Sequence, residues 1–156
     1  MTGTGLPAAA RLDVGASAPV SPSAWTLIGT TSHLRCTPRA EQDELERRSP
    51  PLGRPTATRA ALIPVRTSED WWALTQDERR QLLQERSRHI STGLRYLPAV
   101  ARRLYHSRHL NQPFDFLTWL DADTASAAFE DLVGTLRSSA EWTFVVREVD
   151  VWLVRT

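Results

Sequence analysis

The chain has 156 residues, enough for one domain or for two small subdomains around a shared core. Its net charge of +1, with 24% charged residues, gives no electrostatic case for nucleic acid or an anionic membrane as a partner. A single cysteine, Cys36, excludes an intrachain disulfide and a Cys-rich zinc site, and no run approaches the roughly 20 apolar residues of a spanning helix.

Residues 1–24 are rich in Ala, Gly, Pro, Ser and Thr and lack a basic start followed by an apolar run. They read as a flexible tail rather than a secretory signal, which makes the cytoplasm the expected location. Trp25–Gly29 is short, apolar and β-prone. Gly29-Thr30-Thr31 can turn, so Ser32–Cys36 is expected to pair with it. Thr37–Arg48 is highly charged with helical potential, and Ser49–Arg54 reads as a loop. Ala60–Val65 is a second strand, which Pro64 places at a sheet edge or strand end.

The second half is more regular. Thr75 and Glu78 have capping-box spacing, so a helix is expected from Gln76, with Leu82, Leu83, His89, Ile90 and Leu94 at helical spacings and Pro98 as its stop. Val100–His106 alternates: Val100, Arg102 and Leu104 face one way, Ala101, Arg103 and Tyr105 the other. Phe114–Asp121 is the next strand, joined through Ser107–Pro113 as an antiparallel hairpin, with Phe116, Thr118 and Leu120 on one face. Ala122–Ser138 is helical, with Ala128, Phe129, Leu132, Val133 and Leu136 on one side. Trp142–Val154 reads as one long strand. From Ala60 the order is βαββαβ, which predicts an α+β, ferredoxin-like domain with helices on one sheet face. The expected division is a tail over 1–24, a reduced N-terminal half over 25–66 and the main unit over 67–156.

Two polar residues stand among apolar positions. His89 lies on the apolar side of its helix, where it is either a core histidine hydrogen-bonded to a neighbour or a metal ligand. No HExxH, CxxC or second histidine at helical spacing accompanies it, so a closed zinc site is poorly supported. One histidine is enough for haem, whose porphyrin supplies four ligands. Arg102 is either half of a buried salt bridge or an anion holder. Glu141, before Trp142, reads alone as a surface charge between helix and strand. Beside a metal-bound His89 it would take the other imidazole N–H. Met1 is the only methionine, so oxidisable sulfur is scarce, and the six tryptophans are core bulk, an interface or a flat pocket wall.

Four stretches carry a resemblance: IPVRTSEDWWALTQDERR, RHISTGLRYLPAVARRLYHS, FDFLTWLD and AFEDLVGTLRSSAEWTFVVREVDVWLV. Over Leu62–Val154 the chain resembles the chlorite dismutase family of haem proteins. The resemblance implies haem b with iron bound by His89, a distal Arg102, a Glu141 bonded to His89, and Trp71 by the haem edge. It puts the distal wall on Leu104, Thr118 and Leu120. It implies decomposition of chlorite to chloride and dioxygen, with Arg102 holding chlorite and then the hypochlorite intermediate. The reduced N-terminal half is similar to that of the short branch of the family, which implies a homodimer of the dimeric α+β barrel type. The family often has a lysine where this chain has Thr67, a departure that bears on the hydrogen bonds under the haem.

Coproheme decarboxylation on the same fold ranks second, because members with that activity do not carry arginine at the Arg102 position. A non-enzymatic haem binder, a peroxidase-like protein and a cofactor-free dimeric interaction module are the other readings.

Overall fold

The structure, a computed structural model, describes residues 5–17, 19–31, 51–83, 95–96, 100–122 and 127–155, with Ala128 described in its backbone only. His89, the segment 32–50 and most of the expected 76–94 helix lie outside the described residues. The described elements are β1 (Thr30–Thr31), β2 (Arg59–Thr67), α1 (Glu69–Ala73), α2 (Gln76–Gln81), β3 (Val100–His106), β4 (Phe116–Ala122), α3 (Ala127–Arg137), β5 (Val145–Glu148) and β6 (Val151–Val154). The fold is α+β. One antiparallel sheet runs β1-β3-β4-β2-β5, with β6 beside β5 on the same edge of β2. The element order from Arg59 is consistent with the ferredoxin-like arrangement.

β2 is central, not an edge as Pro64 suggested. Pro64 is almost fully buried, and its carbonyl accepts from Val149 N at 3.1 Å. A residue in an antiparallel strand presents both its backbone groups to one neighbour. Pro64 therefore turns its missing N–H toward Val149, where the expected Trp142–Val154 strand is interrupted between β5 and β6. Leu62↔Val151 and Val65↔Glu148 keep one register across that gap, so one strand is broken by a proline on its neighbour. The start of the expected strand is also different: Ala140–Phe144 is a 3₁₀ turn. β2 runs across residue 66, so the sheet is continuous from the segment expected as a reduced half into the main unit.

The expected turn at Gly29–Thr31 is replaced by pairing: Thr30 and Thr31 lie opposite His106 and Tyr105. Gly29 allows this approach, since a Cβ there would stand 2.8 Å from Tyr105 Cβ.

The two sheet faces are packed differently. On one, Ala61, Ile63, Val65, Val100, Leu120 and Ala122 meet Phe129, Leu132, Val133 and Leu136 of α3. Their i, i+3, i+4, i+7 spacing gives α3 one apolar stripe, and each large side chain buried there contributes about 1.5–3 kcal/mol. On the other face Leu62, Phe114 and Leu117 are covered by Leu6, Leu12, Trp25 and Leu27, so the segment expected as a tail supplies two of the covering side chains. The Thr75–Glu78 capping box forms as expected, and the two Thr75 hydrogen bonds hold the Glu78 carboxyl below its ordinary pKa. No described helix is long and apolar enough to cross a membrane.

Candidate active site

The alternation of β3 and β4 puts Arg102 and Leu104 on the α3-covered face, opposite Leu120 and Thr118, which pair in turn with Ala61 and Ile63 of β2. Above this patch stand Val133 and Leu136 of α3 and Trp142 of the 3₁₀ turn. Together Ile63, Arg102, Thr118, Leu120, Val133, Leu136 and Trp142 line a small open cleft. Its wall is apolar except for the Thr118 hydroxyl and one guanidinium. Arg103, one residue on, points to the opposite face and is exposed.

Arg102 is half-buried. Burial pushes its pKa down to about 10, against the attraction of the Glu141 carboxylate. The group is still a full cation at neutral pH. It makes no hydrogen bond or ion pair within contact distance of a described residue, and the buried Glu141 carboxylate is its electrostatic partner. A guanidinium is a rigid fork of donors, and in a dry wall that fork matches a small oxyanion.

Glu141 is buried, 8% exposed, rather than a surface charge. The turn that buries it is tied to the end of α3: Ser138 N donates to Gly134 O at 3.1 Å, Ser139 Oγ donates to Leu136 O, and Trp142 N donates to Ser139 O at 3.2 Å. Its far end is tied to α1. Ser68 N donates to Phe144 O at 2.8 Å, and the buried Trp71 packs on the Phe144 ring at 5.5 Å. Thr67 is also buried. Its N–H and hydroxyl both donate to Asp115 Oδ2, at 2.8 and 2.9 Å, so the hydroxyl is turned to β4's entry and committed there.

Of the residues singled out from sequence, the cleft brings together Arg102, Thr118 and Leu120. Leu104 is half-buried on the same face, beside Thr118 but outside the lining, and Trp71 sits behind the turn against Phe144. Glu141 is linked to Arg102 by charge. His89 lies outside the described residues. Four lining residues were not singled out as site residues: Ile63, Val133, Leu136 and Trp142. The first three carried only a core signature, and Trp142 was hidden in the apolar run read as a strand.

The family model described as chlorite dismutase matches residues 19–156. The crystal structure of a dimeric chlorite dismutase from Nitrobacter winogradskyi is similar, with 54% identity and a TM-score of 0.82 over 88% of this chain and 81% of that one. The chlorite dismutase of Candidatus Nitrospira defluvii in complex with imidazole shares 30% identity at a TM-score of 0.61, over 75% of this chain and 46% of that one. The chlorite dismutase of Ideonella dechloratans is 36% identical over 88 residues, which are 56% of this chain and 29% of that protein's length.

Proposed function

From the premise that the chain belongs to the chlorite dismutase family, we propose that it is a haem b enzyme that decomposes chlorite to chloride and dioxygen. The observation that carries this reading is Arg102: a cation lining an apolar cleft, with no hydrogen-bond partner among the described residues. The residues fit the cofactor. A flat apolar macrocycle suits walls of Ile63, Leu120, Val133, Leu136 and Trp142, and a buried carboxylate, Glu141, is at hand to orient an imidazole. His89 would ligate the iron, Glu141 would accept the other imidazole N–H, and Trp71 and Leu104 would flank the ring.

When bound, haem supplies the iron that exchanges oxygen with chlorite. The protein's part is positional and electrostatic. Arg102 binds the chlorite anion and turns it toward the reacting face. It would also hold a hypochlorite anion in the cleft and limit its escape. Leu120 and Ile63 keep water from competing for the guanidinium, which strengthens the charge interaction. Glu141 fixes the tautomer and plane of the imidazole and increases its electron donation. The similarity to a protein described as dimeric supports a homodimer.

Haem titration tests the cofactor assignment. The wild-type chain should take up one haem per chain with a sharp Soret band, and His89→Ala should lose it or hold it loosely. Tight stoichiometric haem in His89→Ala would remove the ligand assignment.

A further inference from the structure

We propose that Arg108 is a positioning residue: it holds α1, and through α1 the turn that carries Glu141, in place against the sheet. The proposal rests on the reading of Glu141 and Trp71 given above. α1 has five residues, too few to be stable alone, so its place is set by what it touches. On one side Trp71 packs on Phe144 and Ser68 N bonds to Phe144 O, which fixes the last residue of the Glu141 turn. On the other side Trp72 stacks on Phe116 of β4, with ring centres 5.7 Å apart and planes 13° from parallel.

Arg108 closes that second contact. It stands in the 3₁₀ turn after β3, with its guanidinium carbon 4.2 Å from the centre of the Trp72 ring. One nitrogen lies 3.4 Å from Asp115 Oδ1 and another 3.3 Å from Glu69 Oε2. Asp115 is buried, and its second oxygen is the acceptor for Thr67. A single guanidinium thus joins the first turn of α1, the Trp72 ring, the entry of β4 and, through Asp115, the end of β2. The Glu69 pair is solvent-exposed and weak; the Asp115 pair and the ring contact carry the tie. The line of contact runs from Arg108 through Trp72 and α1 to Trp71, Phe144 and Glu141. Arg79 is the internal control. Its guanidinium is 5.5 Å from the same ring, but it donates from α2 to Leu74 O, the C-cap of α1, and ties α1 to no strand among the described residues.

The test compares Arg108→Leu, Arg108→Lys and Arg79→Gln in the full chain, with and without haem. Arg108→Leu should weaken the near-UV tryptophan circular dichroism of the haem-free chain. It should speed haem transfer to an acceptor globin by roughly tenfold. It should also move the Fe(III)/Fe(II) midpoint in the same direction as Glu141→Gln. The double variant should then show less than the sum of the two shifts, because both act on one contact line. Arg108→Lys keeps the charge over the ring and should recover part of each change. Arg79→Gln should change them far less, because it ties α1 to α2 and not to the sheet. Loss of melting temperature in Arg108→Leu with haem transfer and midpoint unchanged would overturn the proposal, as would equal effects from Arg79→Gln. If Arg108→Leu does not fold, Arg108→Lys decides by the same two readouts, an unchanged midpoint and transfer rate counting against the proposal. A wild-type chain that takes up no haem would sink the functional reading instead; the near-UV signal then decides whether Arg108 holds α1.

Discussion

On the sheet wall of the cleft, Arg102, Thr118 and Leu120 stand on strands paired without a shift from Val100↔Ala122 to His106↔Phe116. On another wall, Trp142 stands, with Glu141 before it, on five residues of 3₁₀ helix held by a few separate hydrogen bonds and one ring contact. The sheet wall is over-determined: seven successive residue pairs fix the same geometry, so removing one side chain leaves the others where they were. The turn wall has no such redundancy. Substitution on the sheet side should therefore change chemistry or local packing, whereas substitution on the turn side should change geometry.

The largest expected effect sharpens that contrast. Arg102→Ala should keep haem and lower chlorite turnover by roughly 10²–10³-fold, the usual loss when one donor to a developing oxyanion is removed. Oxygen evolution and hypochlorite trapping measure it, and loss of haem in this variant would place Arg102 in the wrong role. Leu120→Ala removes a side chain with no exposed surface and should cost about 2–5 kcal/mol in denaturant unfolding. A cost below ~1 kcal/mol would mean that this wall is already loose.

A third effect is in pH. With its pKa near 10, Arg102 should lose its hold on an anion as pH rises through that value, and turnover should fall about tenfold per unit beyond it. Stability has the opposite sign. The folded pKa is below the ordinary arginine value, so between about pH 10 and that value the unfolded chain binds more protons at this group. The cost of burying the cation is thus present below pH 10 and is relieved across that window. The chain contains no lysine, the residue that would otherwise crowd this range. A flat profile to pH 11 would argue against a charged Arg102 in turnover. The smallest effect is on the turn wall: Glu141→Gln should raise the Fe(III)/Fe(II) midpoint while leaving the unfolding transition nearly unchanged. An unchanged or lowered midpoint would break the link to the imidazole.

What was legible follows the same division. Alternation along Val100–His106 is a property of the strand itself, so it placed Arg102 inward and Arg103 outward without knowledge of partners. The Thr75–Glu78 cap is equally local. The 3₁₀ turn at Ala140–Phe144 was not, because Trp142–Val154 is apolar and β-prone and its start is bent by contacts to Trp71 and Ser68 far earlier in the chain. The break after Glu148 depends on Pro64, on another strand, and Pro64 itself was misread because an absent N–H is tolerated in a central strand where the neighbour is interrupted. Composition alone read Glu141 as exposed; it is buried in the 3₁₀ turn whose last residue packs against α1. The family resemblance, not the spacing, marked Glu141.

The most direct test of the functional account is oxygen yield in a sealed electrode cell when chlorite is added to the haem-loaded chain. The account predicts one dioxygen and one chloride for each chlorite consumed. Consumption of chlorite with no oxygen released, or with hypochlorite as the accumulating product, would contradict it.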